Sequence, residues 1–322
     1  MPRLLPSAAE IREAATRLTG VTIRTPLRRS AALSELVGGD VYLKLESEQL
    51  TGSFKLRGAF NALSQLTDEQ RAHGVVAASA GNHGLGVAEA ARQLGISATI
   101  FVPSNAPDVK KQGIAERGAR VLDEARDYDD ALARALEFAR ETGATFVHPC
   151  LGVPLLAGQG TVASEVLDDL PGLQTMLVCV GGGGLVGGVG AFLLSEAPHV
   201  RVVGAQSVHT DAMARAIEAG RVVEIENYPT LADGLAGQID EDGLAIGQAT
   251  LESIVTVTEQ EIASAVAWLW LEEGIRAEGS GAVCVAALRA GKVRHLTPPI
   301  VAIVSGRNID QARLDALLAA QG

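Results

Sequence analysis

Thr175-Met-Leu-Val-Cys-Val-Gly-Gly-Gly-Gly-Leu185 runs from an apolar, strand-like segment into four consecutive glycines and on into a helical pattern that reaches Leu194. A flexible linker is a poor reading of Gly181, Gly182, Gly183 and Gly184, because linkers rarely interrupt a strand–helix unit so abruptly. Amides unshielded by Cβ atoms and aimed from a helix N-terminus suit an anion, above all a phosphate. Gly182, Gly184 and Gly187 also satisfy G-x-G-x-x-G, so an NAD-binding oxidoreductase is the alternative from a different class. That reading needs a carboxylate at the end of the next strand, and this one ends at Ala205-Gln206-Ser207 without any. No G-K-[ST] follows the glycines, which removes a Walker loop.

The strand–glycine–helix rhythm extends in both directions. Val75–Ala78 leads through Gly81-Asn-His-Gly84 into a helix ending near Leu94. Ala98–Val102, Arg120–Leu122 and Thr145–His148 read as further strands, separated by helices around Asp108–Arg117 and Tyr128–Glu141. Later strands fall at Arg201–Ala205, Ile254–Val257 and Ile300–Val304. Helices are expected near Gln159–Leu170, Asp211–Glu218, Glu259–Glu272, Ser280–Arg289 and Ile309–Leu318. Upstream, Ser7-Ala-Ala-Glu10 is a capping box opening a helix to Leu18, and Asp40–Leu45 alternates like a strand. Strands alternating with helices predict an α/β protein with mostly parallel, doubly wound sheets and helices on both faces. Right-handed crossovers place every glycine-rich turn at the edge where such sheets bind ligands. At 322 residues, and roughly 100–200 residues per domain, two domains are expected.

Composition excludes several classes. Lys and Arg total 27 against 38 Asp and Glu, a net −11, and aromatics are only 3%; both speak against nucleic acid as a partner. No apolar run approaches the ~18 residues that span a bilayer, so no membrane is expected. Met1-Pro-Arg-Leu-Leu-Pro6 has no signal-peptide core, which predicts a cytoplasmic protein. Cys150, Cys179 and Cys284 form no C-x-x-C pair and read as reduced core thiols; the six histidines show no metal-ligand spacing.

Thr51-Gly-Ser-Phe-Lys55 precedes a helix with apolar residues at Leu56, Ala59, Phe60 and Leu63, and Ser53 is placed to cap it. Lys55 then falls in the first turn, where the helix dipole disfavours a cation. The position makes sense for a lysine that is neutral or covalently engaged, as in Schiff-base chemistry.

Taken together, Ser53-Phe-Lys55-Leu-Arg-Gly-Ala59, Ser79-Ala-Gly-Asn-His-Gly84, Gly181–Gly184-Leu185, Ala232-Asp-Gly234, Glu278-Gly-Ser280 and Ser305-Gly-Arg-Asn308 resemble the fold-type-II pyridoxal-phosphate enzymes. Within them the resemblance is to the threonine/serine dehydratase and serine racemase group, of the tryptophan synthase β-like superfamily. It implies pyridoxal 5'-phosphate as cofactor, held by Lys55, which also shuttles the Cα proton. Phe54 would flank the ring, Asn82 would bond its phenolic oxygen, and Ser305 would face its nitrogen. The amides of Gly181–Gly184, with Leu185, would bind the phosphate. The turn Ser79, Ala80, Gly81, Asn82 and His83 would hold the substrate carboxylate, with Ser53, Glu278 and Arg307 behind the site.

The implied function is a lyase converting L-threonine, and L-serine, to a 2-oxo acid and ammonia. Serine racemase and 3-hydroxyaspartate dehydratase are the alternatives within the fold. Racemases of the group carry a serine where this chain has Ala80, which favours elimination. Metal-binding relatives carry acidic residues where this chain has Gln206 and Ala212, so no divalent ion is expected, although Asp211 stands close by. Arg307 replaces a usual glycine. The family pattern places a small substrate-closing domain at 68–146 inserted in a large cofactor domain of 1–67 plus 147–322, within about ten residues. A homodimer is a family expectation, and a regulatory domain after the last motif is not expected.

Overall fold

A computed structural model describes residues 3–226 and 228–320; Met1 and Pro2 of the N-terminal stretch read above lie outside the described residues. The strands are β1 (Leu27–Arg29), β2 (Val41–Lys44), β3 (Val75–Ala78), β4 (Ala98–Pro103), β5 (Arg120–Ala125), β6 (Thr145–Phe146), β7 (Thr175–Cys179), β8 (Arg201–Ser207), β9 (Ser253–Val257) and β10 (Ile300–Ile303). They form a six-stranded sheet in the order β1-β2-β10-β7-β8-β9 and a four-stranded sheet in the order β5-β4-β3-β6. All pairs are parallel except β1 with β2. The α/β class with mostly parallel sheets is therefore as expected. β3, β7 and β10 are buried along their whole length, which is why they are continuous apolar runs rather than alternating ones.

Most helices begin where their capping residues stand. Ser7 and Glu10 form the capping box of Ala8–Leu18, and Thr258 with Glu261 caps Glu259–Leu271 in the same way. The helix expected from Gln159 starts earlier, at Val153, with Pro154 in its first turn. Apart from two short 3-10 turns, at Glu46–Glu48 and Asp233–Leu235, four elements were not anticipated: β1 and the helices Ala31–Val37, Asp68–His73 and Glu241–Thr250. Each of those helices has a side-chain cap (Ser30, Thr67 and Asp240), but they span only 7, 6 and 10 residues, too short for periodicity to stand out.

Helix Lys55–Ser64 lies where the two halves meet, with its apolar residues in one core with β3, β4 and the start of helix Val153–Asp169. Two glycines permit this approach. A Cβ on Gly86, in helix Asn82–Leu94, would sit 3.1 Å from the Lys55 carbonyl carbon, and one on Gly158 would sit 2.4 Å from the Arg57 oxygen. A second core fills both faces of the large sheet. Asn82 follows β3, Gly184 follows β7 and Ser305 follows β10, so all three stand at carboxyl ends of strands, where α/β proteins bind ligands. Among the described residues no helix is long and apolar enough to cross a membrane.

Candidate active site

Lys55 is the first residue of its helix. The expected Ser53 cap is not made: Phe54 occupies the cap position without a side-chain bond, and Ser53 Oγ is buried with no partner among the described residues. Ser53 instead pairs with Gly306 as an antiparallel bridge, and Phe54 N donates to Ser305 O at 3.2 Å. The lysine loop is thereby fastened alongside the turn that carries Ser305. Lys55 Nζ stands 5.2 Å from the centre of the Phe54 ring and donates to Pro149 O at 2.7 Å. Burial holds the amine below the ordinary lysine range, with Cys150, Cys179 and Glu278 acting in the opposite direction. A desolvated amine of lowered basicity is the kind that attacks a carbonyl carbon.

Pro149 begins the segment that also forms a wall of the glycine turn. A Cβ on Gly182 would lie 2.4 Å from Cys150 Sγ, and one on Gly184 would lie 2.8 Å from Cys150 Cα. Gly183 is in the left-handed region (φ 96°), which lets the chain enter helix Gly184–Glu196 with its amides turned outward. Leu185 is buried at the start of that helix. His148 Nδ1 accepts from the amides of Cys150 and Leu151, at 3.2 and 2.9 Å, and so holds the wall in place. Cys179 and Cys284 are buried thiols as expected, whereas Cys150 is half-buried at this wall rather than in the core.

At the second turn, Gly81 N donates to Ser79 Oγ at 3.1 Å and helix Asn82–Leu94 begins. First-turn amides have no acceptor within the helix, so those of Asn82 and His83 are open to an anion. The His83 ring cannot add a charge. Burial pushes its pKa down to about 3, Lys55 adding to the effect, and its Nε2 is bonded to Val147 O at 2.9 Å. Ala80 brings a methyl group to this turn.

Asn82 Nδ2 donates to Glu278 Oε1 at 2.5 Å, and Asn82 Oδ1 accepts from Asn308 Nδ2 at 2.6 Å. Glu278 is buried, and its backbone amide donates to Gly306 O at 3.0 Å. Ser305 is buried as well, its hydroxyl donating to Ser280 O at 3.4 Å. The structure thus gathers Ser53, Phe54, Lys55, Asn82, Glu278 and Ser305 into one connected set, with Gly181–Gly184 joined to it through the 149–150 segment. Arg307 stands apart, with its backbone amide bonded to Gly52 O at 2.9 Å and its side chain exposed.

Sequence reasoning passed over His148, Pro149, Cys150, Asn308 and Arg57. Asn308 ended a quoted motif, so the signal was present without a role. Arg57 likewise stood inside the quoted Ser53–Ala59 motif without a role. It is buried between Glu46, at 2.8 Å, and Glu165, at 2.6 Å, and Lys44 Nζ reaches the same Glu165 at 2.5 Å.

These groups suit a phosphorylated aldehyde on an aromatic ring: a desolvated amine, a flanking phenyl group, a buried hydroxyl, and an amide turn at a helix N-terminus too tightly walled to admit a Cβ. The sequence pattern of a family described as pyridoxal-phosphate dependent enzyme matches residues 18–306. An L-threonine ammonia-lyase of Thermotoga maritima is 42% identical over 310 residues, 96% of this chain and 77% of that one. A catabolic L-threonine dehydratase of Staphylococcus aureus is 38% identical over 97% of this chain and 92% of its own. The solved structure of maize serine racemase superposes with a TM-score of 0.92 at 30% identity, covering 98% of each chain.

Proposed function

The chain belongs to the family of pyridoxal-phosphate-dependent enzymes, and from that premise we propose an ammonia-lyase that converts L-threonine, and L-serine, to a 2-oxo acid and ammonia. When bound, the cofactor supplies the electron sink that makes a carbanion at the substrate Cα accessible. The chain's residues do the rest. Lys55 Nζ would carry the cofactor and then take the proton from Cα. Phe54 would pack on the ring, Asn82 and Ser305 would bond its edges, and the amides of Gly181–Gly184 with Leu185 would hold its phosphate. The amides opening helix Asn82–Leu94, with the Ser79–Gly81 turn, hold the substrate carboxylate. The Cα–H and Cβ–O bonds break, the proton taken from Cα balancing the one that turns the departing hydroxide into water, and the released enamine takes up water to give the 2-oxo acid and ammonia.

Ala80 is the observation that carries elimination over racemisation. Inverting Cα needs a proton-exchanging group on each face, and a methyl group in the carboxylate turn offers none beyond Lys55. Purified enzyme should release ammonia and 2-oxo acid from L-threonine while recovered serine stays L. Racemised serine, or turnover of 3-hydroxyaspartate alone, would replace this reading by one of its alternatives. Lys55→Ala should lower kcat by at least about 10³-fold and abolish borohydride labelling at this position.

The reading carries three structural corollaries. Residues 68–146, which hold the whole small sheet, form the unit that closes on substrate; Lys110 and Asp233 meet across the opening at 3.5 Å. No divalent ion is bound tightly. Gln206 Nε2 donates to Thr210 O at 2.8 Å, Gln206 Oε1 accepts from Ala214 N at 3.0 Å, and Asp211 pairs with Arg215 at 2.8 Å. The polar groups of this loop are therefore already engaged, Gln206 by neutral bonds and Asp211 by an ion pair, and activity should survive exhaustive chelation. The enzyme is a cytoplasmic homodimer, with sedimentation as the check on its mass.

A further inference from the structure

Asn82 sits in a hydrogen-bond chain whose two ends are groups that only accept. Asn308 Nδ2 donates to Thr51 O at 2.8 Å and to Asn82 Oδ1 at 2.6 Å. A backbone carbonyl has no proton, so the end of Asn308 facing Thr51 is its NH2 group. That NH2 group fixes the carbonyl end of Asn82 toward Asn308. The other end of Asn82 donates to Glu278 Oε1 at 2.5 Å, and an ionised carboxylate likewise only accepts. Both hydrogens of the Asn308 amide are used, and one of the two on Asn82. The unused donor of the chain is the second amide hydrogen of Asn82.

We propose that Glu278 and Asn308 are positioning residues for Asn82, and that the ionised Glu278 carboxylate keeps the free Asn82 N–H directed at the cofactor ring. The proposal rests on the reading of Asn82 as a partner of the ring. Protonated, Glu278 keeps a carbonyl acceptor but adds a donor of its own and loses its charge, so the charge-assisted bond to Asn82 weakens and the amide is held less firmly.

The surroundings of Glu278 place this exchange near neutrality. It faces Lys55 from helix Lys55–Ser64, Lys110 from helix Asp108–Ala115, Asp233 from the turn at 233–235 and Cys179 from β7. Asp310 and Arg313 line the surface pocket that reaches it. Burial pushes the carboxyl up to about 7 and Asp233 adds to the rise, while Asn82, Lys110 and the Asn308 backbone amide oppose it.

The test is the visible spectrum and affinity of the bound cofactor, read from pH 5.5 to 9 in the loaded enzyme. In the parent the spectrum should titrate near pH 7. In Glu278→Gln that transition should vanish, the cofactor should bind about 3- to 10-fold more weakly, and kcat/KM should lose its acid limb. Asn308→Ala should weaken binding similarly while leaving Glu278 intact, so one misfolded variant does not decide the matter. In an Asn82→Ala background, Glu278→Gln should have no further effect on affinity. Additive losses, or a Glu278→Gln spectrum that still titrates, would overturn the proposal. If Asn82→Ala itself leaves spectrum and affinity unchanged, it is the assignment of Asn82 to the ring that fails. The spectrum and the affinity need no substrate, so these two readouts do not depend on which amino acid it is.

Discussion

Glu278 shows how surroundings, burial foremost, change what a residue does. In an unfolded chain its carboxyl would titrate at 4.5, and in the folded protein it does so at about 7. The folded state therefore holds a proton that the unfolded state has released, and stability falls as pH rises from about 4.5 to 7. Above that window the full cost of a buried anion is present. Glu278→Gln should then raise unfolding free energy at pH 8 by on the order of 2–3 kcal/mol, the difference disappearing below pH 4.5. Thermal unfolding of the cofactor-free protein across that range measures it, and an equal or lower stability at pH 8 would contradict the assignment. His83 acts in the opposite sense. With a pKa of about 3 it stays neutral in the folded protein while the unfolded chain takes up a proton below 6.5, so its contribution to stability rises with pH from about 3 to 6.5 and cancels when Glu278→Gln is compared with the parent.

Among elements, the glycine turn and the Lys55 helix each depend on a neighbour distant in sequence. A methyl group at Gly182 would lie 2.4 Å from Cys150 Sγ and 3.3 Å from its Cβ, so the thiol must move to admit it. Gly182→Ala should weaken cofactor binding at least about 10-fold, and adding Cys150→Ala should recover much of that loss, since contacting residues couple. Titration of the apo proteins with cofactor provides the comparison. The Lys55 helix is fastened by Arg57 to Glu46 and Glu165, with Lys44 closing a buried set of two cations and two anions. Arg57→Met strands two carboxylates beside one ammonium and should cost about 3–5 kcal/mol, far more than loss of an exposed pair such as Arg24–Asp169. Denaturant unfolding of the two variants tests the contrast.

For the whole molecule, the burial of its strands predicts that the large sheet is the firmer part and the edge of the small sheet the looser one. β7 and β10 lie mid-sheet and are buried throughout, whereas β5 is an edge strand that exposes Arg120, Asp123 and Glu124. Amide hydrogen exchange should be slowest in β7 and β10, approaching the global unfolding limit, and fastest among strands in β5. An arrangement with a firm cofactor platform and a looser small half is what closure on a substrate requires. Slower exchange in β5 than in β10 would argue against residues 68–146 as the moving part.

The sequence by itself determined the alternation of strands and helices, the α/β class, and the glycine turns at strand ends. These depend on local rules: apolar runs for buried strands, capping boxes, and amides bared by missing Cβ atoms. Ordered motifs also marked Lys55, Asn82 and Gly181–Gly184. Local rules misplace Lys44 and Arg57, however. Alternation along β2 and the Leu56–Ala59–Phe60–Leu63 stripe both turn these cations toward solvent, and both are buried. Only the arrival of helix Val153–Asp169, with Glu165 about a hundred residues farther on, gives that face a countercharge. Cys150 and Asn308 are alike in this respect, small side chains whose roles arise from residues they meet only after folding. Periodicity reports which face of an element is apolar. Whether a polar face is buried depends on what another part of the chain brings to it, and that is decided in three dimensions.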